Sequence, residues 1–385
     1  MSTYHVSKKS KPNDEVMFEY FGQFDVPENV THVRFHPSAA AIDRAFEYRT
    51  ELREVILNDG LREIGESAFT GCTSLQSINI PSTVNRIGRS AFYECIDNLR
   101  EVVLNEGLTE IGCSAFANCK SLQTITIPST VLEIGVGAFS GCRQLKEVVL
   151  SGELKKIGDY VFDDCTSLER IVIPSTVIEI EQYAFYGCTN LREVTLSEGL
   201  QRIKANAFNR CTSLESIIFP STVIKIEPFV FRACTSLRQI VIHDEKVQID
   251  ANSFWDCLSL ERFKFISLST RLNNVIQSGQ TDIEAKMDDI PAVEWRAGDL
   301  SIPTISRQID NRLGVTYTAA DVDKEKLTNV ERLIAYYEMK EATTLFELAL
   351  WKARIDEAED ANIDRNALRI SVPGPVKDAI LQYLK

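Results

Sequence analysis

Nine of the chain's ten cysteines, Cys72, Cys95, Cys119, Cys142, Cys165, Cys188, Cys211, Cys234 and Cys257, occupy one position of a repeating pattern. Thiols can ligate metals, attack carbonyl carbons or pair as disulfides, so their placement decides which chemistry is open. Each of the nine stands three residues after a phenylalanine. One per repeat makes a column of buried thiols acting as small apolar side chains. Neighbouring rungs lie ~4.8 Å apart, within reach of a disulfide, but parallel side-chain vectors and an odd count argue against pairing. Cys113 alone lies outside the column, in a surface slot that holds Glu66, Arg89 and Val136 elsewhere, with no histidine near it in sequence. No thiol–imidazole nucleophile is expected there. His32 and His36 have no cysteine or carboxylate at metal-ligand spacing, so no zinc site is expected. The glycines Gly65, Gly88, Gly112, Gly135 and Gly158 form a bend column, not a phosphate-cradling loop. No enzyme activity, cofactor or metal is expected.

The elements behind that column are set by Phe46, Phe69, Phe92, Phe116, Phe139, Phe162, Phe185, Phe208, Phe231 and Phe254, spaced by 23 residues with a single step of 24 where Ile96, Asp97 and Asn98 intervene. Such a period marks a solenoid whose units bury their apolar faces only by stacking. In one repeat Leu75, Ile78 and Ile80 form a short strand, and Pro81-Ser82-Thr83 turns the chain. Val84 and Ile87 follow, then Gly88, suited to a tight bend or positive φ, and Ala91-Phe92 with Cys95 on a short helical turn. A second period overlies the first. Pro-Ser-Thr-Val at Pro81, Pro128, Pro174 and Pro220 alternates with Asn58-Asp59-Gly60-Leu61, Asn105-Glu106-Gly107-Leu108, Ser151-Gly152-Glu153-Leu154 and Ser197-Glu198-Gly199-Leu200. Lys146, Glu169, Arg192, Glu215, Arg238 and Glu261 share one column. Stacked, they would form a ladder of opposite charges contributing ~0.2–1 kcal/mol per pair.

The pattern L-x-x-I-x-I-P-S-x-V-x-x-I-G-x-x-A-F-x-x-C-x-x-L resembles the BspA-type leucine-rich repeat over Leu52 to Phe265. The resemblance implies a right-handed solenoid with a parallel sheet and a role in protein or surface recognition; members are often secreted adhesins. The expected fold is therefore an α/β repeat solenoid with short parallel strands. Residues 1–51 form an N-terminal segment and capping repeat, in which Val30, Val33 and Phe35 mimic the strand. Residues 52–265 form the solenoid, and residues 266–385 a small, mainly helical domain. In that last region helices are expected near Leu268–Ile276, Leu327–Tyr337, after the Thr344/Glu347 capping box and after Pro375, with a hairpin turning at Gly298-Asp299. Segments such as Lys340–Leu345 and Val372–Lys377 are similar to the helical tails of uncharacterised algal repeat proteins.

Net charge is −13 and neither half is basic, so a phosphate-backbone surface is not expected. No apolar run is long enough to cross a bilayer, and residues 1–11 lack the apolar centre of a secretory signal. With reduced thiols, this points to the cytoplasm or nucleus. One surface stands out. Between the last two inward positions of each strand an outward residue is expected, and Ile56, Val103, Val149, Val172, Ile218 and Val241 there are aliphatic. They form a candidate strip for an unidentified protein partner, with 266–385 as a cap or second docking module. The expectation is an interaction scaffold; the alternative is a cell-surface or secreted adhesin.

Overall fold

The computed structural model describes residues 17–22, 26–150, 152–243, 247–250, 252–260, 262–266, 270, 294–296, 299–303, 308–310, 314–316 and 334. Compactness divides the chain into two units, Met1–Lys264 with Thr304–Asp321, and Phe265–Pro303 with Val322–Lys385.

The first unit carries the array, and each rung is named here by its phenylalanine. All ten repeat rings are fully buried. They stack in one file, neighbours 5.0–5.6 Å apart and within 16° of parallel. Each ring therefore has an apolar partner on either side, which no single repeat could supply. Every rung adds a strand of three or four residues, such as Ser77–Asn79, and a two-residue strand, such as Arg86–Ile87. Their apolar residues point inward and pair in parallel with the next rung, as Ile78 with Val102 and Ile87 with Ile111.

The phenylalanine turn is not helical. Residues two before and two after the ring take positive φ, among them Ser90 and Glu94, Ser114 and Asn118, Tyr160 and Asp164. This alternation aims every second N–H at the following rung: Ser90, Phe92 and Glu94 donate to Cys113, Ala115 and Ala117 carbonyls at 2.7–3.0 Å. A helix would have closed those bonds on itself. The turn thus contributes a third inter-rung ladder and leaves few orphan groups. The glycine column also has a different cause from the one expected. Gly65, Gly88, Gly112 and Gly135 are absent from the positive-φ glycines. A Cβ on Gly88 would lie 2.6 Å from the Gly65 carbonyl carbon, and one on Gly112 2.7 Å from that of Gly88. Close approach of successive backbones, not torsion, selects glycine there.

The two-repeat sequence period reappears in the backbone. Strands pair fully from a Pro-Ser rung to the rung after it: Ser77–Asn79 with Glu101–Val103, Thr124–Thr126 with Glu147–Val149, Arg170–Ile173 with Glu193–Leu196, and Ser216–Phe219 with Gln239–Ile242. From a Gly-Leu rung to the next Pro-Ser rung, pairing shrinks to Thr124 with Glu101 or lapses among the described strands. Loops join those doublets instead. Glu106 accepts from Ser129 N and Oγ at 3.1 and 2.9 Å, while Thr130 Oγ1 donates to the Leu108 carbonyl at 2.7 Å. Glu198, Ser221, Thr222 and Leu200 repeat the arrangement.

At the N-terminal end the expected capping strand is His32–Phe35, and Met17–Tyr20 adds a further strand before it. Tyr20 seals the file, its ring 5.1 Å from Phe46 and 4.8 Å from Phe35. In the second unit Glu294–Arg296 pairs antiparallel with Asp299–Pro303; Arg296 faces Asp299, so the expected hairpin reverses between them and not at Gly298-Asp299. A second hairpin in the first unit, Gln308–Asp310 with Gly314–Thr316, was not foreseen. The mainly helical C-terminal domain is not shown: among the described residues of 266–385 no helix is assembled. The expected helices at 268–276, 327–337, from 344 and after 375 fall almost wholly outside the described residues.

Candidate interaction face

The strands present alternate residues outward, so in Glu101–Val103 the glutamate and Val103 face away from the core while Val102 faces in. Ile56, Val103, Val149, Val172 and Ile218 are 37%, 40%, 42%, 57% and 56% exposed. Val241 corrects the expectation: it is 7% exposed, because the strand Gln239–Ile242 is covered on its outward side as well. The strip ends at Ile218.

Charged side chains run beside it. The segments Arg53-Glu54-Val55-Ile56, Arg100-Glu101-Val102-Val103, Lys146-Glu147-Val148-Val149 and Arg192-Glu193-Val194-Thr195 recur on every second rung. The rungs between carry Gln76, Ser77 and Asn79, then Gln123, Thr124 and Thr126. The expected ladder through Lys146, Glu169 and Arg192 does not form ion pairs among the described residues. Pairing occurs one strand over, on the two-residue strands: Arg86 bridges Glu63 and Glu110 at 3.1 and 3.2 Å, and Arg202 meets Glu179 at 3.3 Å. Glu101, Glu147 and Glu193 have no ion pair among the described residues, so their charge is open to a partner.

The thiols are placed as expected but do more than fill space. Each of the nine donates its S–H to the phenylalanine carbonyl of the preceding rung, at 3.0–3.3 Å. Burial pushes the Cys142 thiol up to about 12 and raises Cys119, Cys165, Cys188 and Cys211 likewise. All ten cysteines are free, and Cys113 alone is exposed. Sunk and bonded in this way, the column says little about redox compartment, which weakens the cytoplasmic expectation drawn from it. The two N-terminal histidines have local partners: His32 Nδ1 lies 2.9 Å from Thr31 Oγ1, and His36 Nδ1 2.8 Å from Ser38 Oγ.

Two surfaces escaped the sequence reading. Leu132, Ile178 and Ile224, each following Pro-Ser-Thr-Val, are exposed. On the phenylalanine turns Tyr160 stacks on Tyr183 at 4.8 Å and Arg210 lies over Tyr186. Their signal was periodic and visible, but only once the turn's outward positions are known.

The repeat geometry agrees with the comparison of the sequence with known families. The family described as BspA type Leucine rich repeat region matches residues 41–169 and 155–284, in six copies. The chain belongs to that family. Among solved structures, this BspA-type chain is similar to a leucine-rich repeat protein from Bacteroides ovatus, at 28% identity over 54% of this chain and 60% of that one, TM-score 0.45. It therefore spans less than two thirds of that relative. The T. pallidum leucine-rich repeat protein is 36% identical over 41% of this chain and 74% of its own, TM-score 0.38. A leucine rich cell surface protein from Faecalibacterium prausnitzii is 23% identical over 61% and 79%, TM-score 0.37. No curated protein matches the BspA-type chain.

Proposed function

We propose that this BspA-type array is a non-enzymatic interaction scaffold that captures a protein partner on its strand face. The observation that carries the reading is the lane of exposed aliphatic side chains Ile56, Val103, Val149, Val172 and Ile218, with Glu101 and Glu147 beside it making no ion pair among the described residues. Apolar surface next to unneutralised charge supplies affinity and orientation together. A rigid file of stacked rings gives such a face a fixed spacing, which suits repeated contacts along a partner. Residues 266–385 serve in this reading as an end cap or a second docking module.

The same face would serve a cell-surface adhesin, and the buried, hydrogen-bonded thiols favour keeping that second reading, since they would persist reduced in an oxidising compartment. Cell fractionation separates it from a cytoplasmic scaffold. Hydrogen exchange on the complex with any protein that co-purifies tests the binding face itself. Protection should appear along the strands from Glu54–Ile56 to Ser216–Phe219. Protection confined to the phenylalanine turns would contradict the proposal.

A further inference from the structure

The strand face has a period, and the period selects the shape of its occupant. Arginine or lysine, glutamate and an aliphatic or threonine side chain return on the Phe69, Phe116, Phe162 and Phe208 rungs, in three parallel lanes. Uncharged Gln, Ser, Thr and Asn fill the two rungs between the first three sets. Stacked strands are ~4.8 Å apart, so the sets repeat every ~9.6 Å. The glutamate and aliphatic lanes, two residues apart on one strand, are separated by ~6.6 Å.

An occupant lying along the lanes must present equivalent side chains at that interval. A β-strand cannot, since its side chains alternate at ~6.6 Å and a three-residue step points to the opposite face. An α-helix brings a residue back to one side after seven residues, ~10.5 Å, and its intervening i+3 and i+4 side chains would fall on the polar rungs. A polyproline II segment has three residues per turn and ~3.1 Å per residue, so each third side chain recurs after ~9.3 Å. Its three edges also allow one row on the aliphatic lane, a second on the glutamate lane and a third facing solvent. Charge decides what the second row is. Arg100, Lys146 and Arg192 also make no ion pair among the described residues, but they precede the glutamates on the side away from the aliphatic lane. The row next to the aliphatic one lies over Glu101, Glu147 and Glu193 and is therefore basic.

We infer that the strand face binds a polyproline II segment carrying an aliphatic residue and a basic residue in every three. This rests on the strand-face reading above and narrows it to one partner class.

The probe is a four-repeat Pro-Leu-Arg peptide, measured by fluorescence anisotropy against the full chain. Controls are a shuffled peptide of identical composition and a helical peptide with leucine and arginine at seven-residue spacing. The period-three peptide should bind at least about tenfold more tightly than either control. Its affinity should fall with rising ionic strength. The E101Q/E147Q variant should remove most of that salt dependence, and V103S/V149S should weaken binding about tenfold. Equal binding of shuffled and period-three peptides, or preference for the helical one, overturns the inference. Panning a random peptide library against the chain distinguishes the two levels. Selected peptides of another shape that are lost on V103S/V149S would leave the strand face standing and the polyproline assignment refuted. Selected peptides indifferent to that variant would refute both.

Discussion

Phe139 lies between the rings of Phe116 and Phe162, 5.3 and 5.6 Å away, with no solvent contact. Removing the ring leaves a hole lined by two flat apolar faces that stay anchored by their own rungs. Phe139→Ala should therefore destabilise by ~3–5 kcal/mol in urea denaturation; a loss below ~1 kcal/mol would mean the file can close up. The thiols make a sharper residue-scale statement. Native labelling should modify Cys113 long before the nine column cysteines, and labelling of all ten at one rate would contradict their burial. Asp163 gives a pH signature. Burial, then the neighbouring Asp164, raises its carboxyl to about 6, against the usual 3.8. The folded chain then holds a proton there that the unfolded chain releases, so stability falls as pH rises from about 4 to about 6. Asp163→Asn should stabilise above pH 6 and change little below pH 4. A variant with the same pH profile as the parent would refute that assignment.

Among the elements, the doublets follow from the alternation of Pro-Ser-Thr-Val with Gly-Leu turns, and one junction between them is defective. After Glu106–Ser129 and before Glu198–Ser221 the hook should recur between the Phe162 and Phe185 rungs, but the turn there reads Ser151-Gly152-Glu153. Glu153 pairs with Lys155 instead, and Thr176 Oγ1 is buried without a partner while Thr83, Thr130 and Thr222 all donate to a leucine carbonyl. The two-residue strands still pair across this junction, Lys156–Ile157 with Glu179–Ile180; their ladder lapses one junction earlier, between Glu133–Ile134 and Lys156–Ile157. Gly152 takes positive φ, and a Cβ on it would meet the Ser129 backbone. The graft S151N/G152E/E153G should therefore supply the missing bonds by moving the glycine, and the positive φ with it, to 153 as at Gly107. A gain of about 1 kcal/mol, a few degrees in melting temperature, is expected; an unchanged or lower melting temperature would mean the hook contributes nothing. The repeat period itself was legible because phenylalanine and cysteine have no other reason to recur so regularly. The turn conformation was not, since Ala-Phe-x-x-Cys has a helical look and only the inter-rung bonds of Phe92 and its equivalents favour alternating torsions. Lys146 and Glu169 share a column of alternating sign yet reach no ion pair among the described residues; the inter-rung bridges form on the two-residue strands instead.

At the scale of the molecule, stacking converts a sequence period into a surface period. All five exposed aliphatics on the face were readable from strand alternation, most plainly Val172 and Ile218, whose neighbours on both sides are buried. Val241 shows where that logic stops: alternation tells which way a side chain points, not what lies over it. The rows of charge beside the strip were also present in the sequence as Arg-Glu-Val repeats, but they acquire meaning only with the finding that Glu101, Glu147 and Glu193 make no ion pair among the described residues. The strand face is tested by the V149S/V172S/I218S variant, assayed by urea melting and by partner capture with the same preparation. Folding should be nearly unchanged, because these side chains are exposed, while partner recovery should fall about tenfold or more. A variant that unfolds, or one that folds and captures its partner as well as the parent, would contradict the claim that this face does the binding.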